Sequence, residues 1–382
     1  MRPIRYNNHV HVFTMRCAPG GFLRSYGVPG FVIKRLWPLL QNRTIARMLQ
    51  EWIGSMDNRY DSLIRRYLEF ARIGLHKNQL MLFEELIDQY SEDFAYVVLT
   101  LNMDHMGAGK PSLSYHEQLH HLKVIRKRHP DSFLPFYSID PRAGSPEELL
   151  DNLRHYVEQE AYVGIKLYPS LGFWPFDRRL DPVWEYAVEH RLPLLTHADT
   201  GGINYVGEWK KEHLNPSGFE PEEWPSKFDR LEFPFEPGDR KLKDACDDFV
   251  HPFAYARLLE RFPELKLCFA HAGGVPHVLE EAKSSSWFSM ICYLMERFPN
   301  VHTDVSYTLH DSRVFKPLRK LIDGSLGDRV LFGTDYFMTT REKPESTLVR
   351  EFRDSLRGNP RHWEKVSQDS VARWLSSSHY QF

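Results

Sequence analysis

A chain of 382 residues with 42% hydrophobic and 26% charged residues carries ample apolar material for a large globular core. Its formal charge of −2, from 49 basic and 51 acidic side chains, leaves no electrostatic footprint for nucleic acid or a membrane surface. Cys17, Cys246, Cys268 and Cys292 lack C-x-x-C spacing and no leader or apolar span of about 18 residues occurs, so a cytoplasmic protein without disulfides is expected.

Along the chain, short β-like apolar runs alternate with longer amphipathic stretches. The first run, residues 7–13, contains His9 and His11 at i and i+2. A strand alternates its faces, so both imidazoles point the same way and form half of a metal site; taken alone, such a pair is more often two ordinary strand histidines. A mostly helical stretch follows over 14–92, with helices expected at 45–56, 60–73 and 79–90. After a run at 94–101, Ser114 opens a helix to 128, and a run at 133–139 follows. Ser145-Pro146-Glu147-Glu148 places a capping serine, a proline in the first turn and glutamates behind it, a helix start that carries to 160. Next come a run at 162–168, a helix at 183–190 opened by Asp181-Pro182, and a run at 192–197. A second long departure, 199–250, is rich in Pro, Gly, Trp and charge. The remaining runs, 265–271, 301–305 and 330–332, are separated by amphipathic segments that include 252–262 and 287–298.

Eight such runs alternating with helices predict an α/β protein with a (β/α)8 TIM-barrel fold, one domain over 1–382. The long segments after strands 1 and 5 are then insertions on the catalytic face, 14–92 helical and 199–250 a loop over the active site. No G-x-G-x-x-G follows the first run, which argues against a dinucleotide-binding sheet.

Several runs end on residues that bind metals. His197 closes the fifth, His271 the sixth, and Asp335 follows the eighth in Gly333-Thr334-Asp335. At matching strand ends these residues converge on one rim with His9 and His11. Three neutral imidazoles and a carboxylate suit one divalent ion, Zn first, with Fe or Mn as alternatives. Lys166 is the only charge in its run and must meet a carboxylate, become carbamylated or lose its proton. Asp304 in the seventh run is placed either to orient a ligand histidine or as a structural acid. Trp174 either lines the pocket or packs, while His310 and Asp311 follow the seventh run and are candidates to face it. Arg16, Arg24 and Arg35 are candidates to meet a substrate carboxylate.

The order of H-x-H, Lys, His, His and Asp on strands 1, 4, 5, 6 and 8 resembles the amidohydrolase superfamily. Gly164-Ile165-Lys166-Leu167-Tyr168-Pro169, Phe269-Ala270-His271-Ala272-Gly273-Gly274 and Gly333-Thr334-Asp335-Tyr336 resemble its amidohydrolase-2 branch, which includes aminocarboxymuconate-semialdehyde and resorcylate-type decarboxylases and lactone hydrolases. The resemblance implies that His9, His11, His197 and Asp335 bind one divalent metal, that His271 is a catalytic histidine outside the ligand set, and that Lys166 stands behind the metal or faces substrate. The expected function is metal-dependent hydrolysis of a C–N or C–O bond in an amide, lactone or ester, with Asp335 or His271 moving the proton. Non-oxidative decarboxylation of an aromatic or unsaturated acid at the same site is the alternative. The expected partner is a small carboxylic acid, with a homo-oligomer consistent with the family.

Overall fold

In the computed structural model, which describes residues 4–26, 29–55, 63–90, 93–214 and 240–382, eight parallel strands form one sheet in sequential order. They are β1 (Arg5–Val10), β2 (Phe94–Leu99), β3 (Phe133–Ser138), β4 (Gly164–Leu167), β5 (Pro193–Thr196), β6 (Lys266–Phe269), β7 (Val301–Asp304) and β8 (Val330–Leu331). The seam between first and last strands is made by Asn8 N–H to Phe332 O and Asp335 N–H to His9 O, both 2.8 Å, and by a parallel bridge of Val10 with Tyr336. The predicted TIM barrel is therefore observed. Strands β2 to β8 are buried throughout, as expected where helices cover the outside and side chains fill the inside.

Local chemistry explains the helix starts. Ser114 and Ser145 each cap a helix, Tyr115–Arg128 and Pro146–Gln159, with reciprocal bonds to Glu117 and Glu148 that satisfy otherwise unpaired amide hydrogens. The helix Asp181–Glu189 starts on Asp181-Pro182 as expected. Between β1 and β2 lie Arg43–Ser55, Leu63–Gly74 and Gln79–Ile87, close to three of the predicted helices, and also Gly30–Gln41, which the pattern did not announce. Residues 60–62 of the predicted 60–73 helix and 215–239 of the 199–250 segment lie outside the described residues.

The amino-terminal end of the barrel is plugged by the helix Ser370–Leu375. Its Trp374 stacks on Phe136 with ring centroids 5.7 Å apart and belongs to the cluster of Val97, Leu134, Val163, Leu195 and Leu331 inside the barrel. Lys266, at the start of β6, donates from Nζ to Ser376 O at 2.7 Å, a cation against the carboxyl end of that helix. The plug leaves the opposite, carboxyl-terminal end open. Among the described residues no helix is long and apolar enough to cross a membrane.

Candidate metal centre

At the open end, β1 and β8 bring His9, His11 and Asp335 together. The two Nε2 atoms lie 3.4 and 3.3 Å from Asp335 Oδ1, and the three residues offer ligand atoms within 4.8 Å of one another. Each imidazole is oriented from behind. His9 Nδ1 lies 2.9 Å from Asp304 Oδ2, and His11 Nδ1 lies 2.9 Å from the Leu99 carbonyl. A carboxylate and a carbonyl only accept, so both histidines donate from Nδ1 and turn a lone pair at Nε2 inward.

Asp335 Oδ1 is buried without a hydrogen-bond partner among the described residues. Burial alone would raise its carboxyl, but His9, His11 and His271 hold it well below the ordinary carboxylate range. With each imidazole neutral and donating from Nδ1, two nitrogen lone pairs and the Asp335 oxygen converge on one point. Such a donor set is costly unless a cation sits among it, and N/N/O chemistry suits a divalent transition metal. The residues present fit the ion that the sequence pattern implies.

Asp304, buried at the end of β7, connects the centre. Besides His9 it accepts the amide hydrogens of His271 and Ser306, both at 2.9 Å, and the Ser306 hydroxyl. Burial pushes its carboxyl up, but His9 and these bonds bring it down to about 2. Ser306 Oγ also lies 3.0 Å from His9 Nδ1 and 2.9 Å from His271 Nδ1. His271 has ligand atoms near those of His9 and Asp304, which form a second convergent trio.

His197 is held differently. Its Nδ1 faces His271 Nε2 at 3.1 Å, its Nε2 faces the Gly201 carbonyl at 2.9 Å, and its ring stacks on Tyr168 at 4.4 Å. It is absent from both convergent trios, so the predicted set of four is assembled as three, with His197 one residue removed behind His271. Burial, then the charges of His271 and Lys166, push its imidazole far below the usual value.

Lys166 is fully buried, and its Nζ has no hydrogen-bond partner among the described residues. The ammonium lies 5.5 Å from the Tyr168 ring centroid; burial lowers it to about 8, against the pull of Asp335 and Asp304. Its ammonium thus lies within electrostatic reach of both carboxylates without a hydrogen bond to either among the described residues.

Backbone strain is concentrated here. His271, Ala272, Tyr307 and Asp335 adopt φ values of 66°, 49°, 57° and 63°, a region that side-chain-bearing residues rarely occupy and that recurs at functional sites. Gly333 lets β8 approach β1, because a Cβ there would come within 2.8 Å of the His9 Cβ.

Above the centre opens a cavity of about 890 Å³ whose wall includes His9, His11, His197, His271 and Asp335. Its rim carries Arg24, Lys241, Lys243, Arg313 and Arg341, together with Asp199, Asp311 and Glu342. Arg341 donates to the Tyr307 hydroxyl at 2.7 Å, and Arg313 is engaged by Asp311. Burial pushes the Asp199 carboxyl up to about 6, against the His271 charge. Of the secondary candidates, His310, Asp311 and Arg24 line the cavity, whereas Arg16 and Arg35 do not. Trp174 does not line it: its indole donates to His213 O at 3.0 Å and packs on Phe176 and Phe249 in the core. Ser306, Tyr168, Asp199, Tyr307 and Arg341 were not singled out from the sequence. Of these, only Ser306 carries a local signal, as the hydroxyl two residues beyond a buried strand-end aspartate.

A family model described as amidohydrolase matches residues 115–375. Among solved structures, the chain is similar to 5-carboxyvanillate decarboxylase from Novosphingobium aromaticivorans, solved with manganese and 3-methoxy-4-hydroxy-5-nitrobenzoic acid, at 13% identity and a TM-score of 0.57 over 98% of this chain and 97% of that one. An uncharacterized TIM-barrel protein from Bordetella bronchiseptica matches at 17% identity and a TM-score of 0.52, over 96% and 98% of the two chains. 4-Oxalomesaconate hydratase from Rhodopseudomonas palustris matches at 15% identity and a TM-score of 0.50, over 97% and 95%. At such identities the likeness is one of fold.

Proposed function

The chain belongs to the amidohydrolase family, and from that premise we propose that it is a divalent-metal-dependent hydrolase that cleaves a C–N or C–O bond in a small carboxylic acid. His9, His11 and Asp335 would hold the ion, with His197 completing the set by releasing Gly201 or His271. When bound, the ion supplies a Lewis acid and acidifies water near neutral pH.

One observation carries the choice of reaction: the Asp335 carboxylate faces both histidine Nε2 atoms on the wall of the cavity, where a water bound beside it would meet a base. Asp304 and Asp335 are held low, and burial lowers His9, His197 and His271. Hydrolysis requires a base to take a proton from the attacking water, and Asp335, whose Oδ1 faces the two Nε2 atoms as the ligand oxygen, would fill that role through its second carboxylate oxygen. His271, fixed through Nδ1 by Ser306, passes a proton to the leaving group. The cationic rim, with Arg341 and Lys243 on it, suits a substrate carboxylate.

A second reading, decarboxylation, requires a group that delivers a proton to carbon. Asp199 on the same wall favours it, with a carboxyl raised to about 6, as does the fold shared with a decarboxylase solved with manganese. Carbon dioxide release from hydroxybenzoates, measured beside ring opening of lactones and hydrolysis of N-acyl amino acids, separates the two. The proposal expects turnover in the second group only, lost on chelation and restored by Zn, Mn or Fe. Carbon dioxide release abolished by Asp199→Asn would transfer the assignment to the second reading, and activity indifferent to chelator would remove both.

A further inference from the structure

Two loops beyond the strand ends meet on the wall of the cavity above the metal centre. Tyr307 follows β7, and Arg341 and Glu342 end the turn Met338–Arg341 that follows β8. The Tyr307 backbone, at φ 57° and ψ −49°, lies outside the regions that residues with side chains favour, and the surrounding contacts must hold it there. Its ring stands edge-on to His271, with centroids 6.0 Å apart. The Arg341 guanidinium carbon lies 5.4 Å from the same ring, and the guanidinium donates to the phenol oxygen at 2.7 Å. A guanidinium only donates, so the phenol oxygen accepts there and its own hydrogen is directed to an acceptor. Burial pushes the phenol up, which keeps that hydrogen in place at neutral pH. The acceptor is Glu342: the hydroxyl reaches its Oε1 at 3.3 Å, and Arg341 Nε stands 3.6 Å from the same oxygen.

Both of the Glu342 contacts are stretched. A hydroxyl normally approaches a carboxylate oxygen to about 2.5–2.7 Å, and a guanidinium nitrogen to about 2.7–2.9 Å. The Glu342 side chain also keeps 29% of its surface exposed, so it can turn into water without carrying a charge through an apolar wall. We propose that Tyr307 and Arg341 form the receptor for the substrate carboxylate and that Glu342 occupies it in the resting protein, to be displaced on binding; the assignment rests on the reading of the substrate as a small carboxylic acid. Selection follows from the chemistry of the pair. An incoming carboxylate accepts from the phenol and restores a negative charge beside Arg341, which is always a cation. A neutral amide or ester accepts from the phenol but restores no charge, so it gains less than the departure of Glu342 costs. Glu342 thereby discriminates against neutral compounds, and Tyr307, which touches both His271 and the carboxylate position, determines specificity.

Calorimetric titration of the full-length, metal-loaded protein with benzoate and with benzamide tests this. The parent is expected to bind benzoate more tightly than benzamide. Glu342→Gln removes the competing charge and keeps the length of the side chain, and it is expected to tighten benzoate about 10-fold; Tyr307→Phe keeps the ring and loses the donor, and it is expected to weaken benzoate about 10-fold. Benzamide is expected to respond to Glu342→Gln by much less than benzoate does. A carboxylate that engages the metal alone would be indifferent to both substitutions, and that indifference overturns the assignment. So does a Glu342→Gln variant that binds benzoate no tighter than the parent, or benzoate binding that is lost with Lys243→Gln and kept with Tyr307→Phe. Absence of benzoate binding in both the parent and Glu342→Gln overturns it as well. Turnover of N-acyl amino acids with and without chelator is measured separately: its absence beside the expected benzoate pattern removes the hydrolytic reading and leaves the carboxylate receptor standing.

Discussion

On the β1, β7 and β8 side of the centre, side chains are fixed by neighbouring strands: His9 by Asp304, His11 by the carbonyl of Leu99, and Asp335 by its own amide on His9 O. On the β5 and β6 side, His197 is fixed by His271 and by the carbonyl of Gly201 in the loop beyond β5. The first half is built into the sheet, so its geometry persists as long as the barrel does. The second depends on a loop contact that can be exchanged for another at little cost to the fold. A pocket that must both retain an ion and admit a substrate gains from this division.

The comparison can be broken most severely at Asp304. Asp304→Ala strands His9 and two backbone amides together, and removing one partner of a buried charged pair costs about 3–5 kcal/mol. A stability loss below about 1 kcal/mol, from the urea midpoint and m-value, would show that the strand side is not the rigid half. Next in size, Asp335→Asn removes the charge that faces both Nε2 atoms. Turnover is expected to fall about 10²–10⁴-fold with folding kept, measured as kcat beside circular dichroism and metal content. His197→Gln probes the loop side: metal affinity or kcat/KM is expected to fall about 10–100-fold, with a smaller stability loss than Asp304→Ala. Equal stability losses in the two variants would erase the distinction between the halves.

The smallest effect sharpens the strand side through pH. Glu345 is buried beneath the seam, accepting from Thr334 Oγ1 at 2.7 Å, from Asn7 Nδ2 at 3.3 Å and from the Tyr90 hydroxyl. Burial pushes its carboxyl up to about 7. Between the unfolded value of 4.5 and about 7, the folded protein binds more protons at this residue than the unfolded chain. Its contribution to stability is therefore greatest at acid pH and declines through that window, by about 1–3 kcal/mol in total. Glu345→Gln is expected to flatten the decline in urea midpoints between pH 5 and about pH 7.5. An unchanged slope would assign the titration elsewhere.

The strands were legible because each is a short apolar run in a sheet covered on both faces. The helix starts at Ser114 and Ser145 were legible because caps are local chemistry. Gly30–Gln41 was hidden by Pro38 within it and by Pro29, a residue with no side-chain cap to offer, at its start. Glu345–Ser355 buries only Glu345, Leu348 and Phe352, too few apolar positions to show a period. The residues His9, His11, His197, His271 and Asp335 could be read off strand ends, since strand direction alone carries them to one rim. Their pairing could not be read, because Asp304 meets His9 across 295 positions and Gly201 reaches His197 only by folding back over it. The Tyr168 stack and the Tyr307–Arg341 contact likewise depend on loops whose course the sequence does not state.

The seam between β1 and β8 also sets an order of events during synthesis. His9 is synthesised some 326 positions before Asp335, which stands at the same centre. At about 5–20 residues per second the interval is roughly 16–65 s. For that interval the first strand has no last strand to pair with, and its two histidines face no carboxylate. The centre is complete only when the circle of strands is complete, so a nascent chain stalled before Asp335 cannot present this donor set, and acquisition of the ion would mark the end of barrel closure.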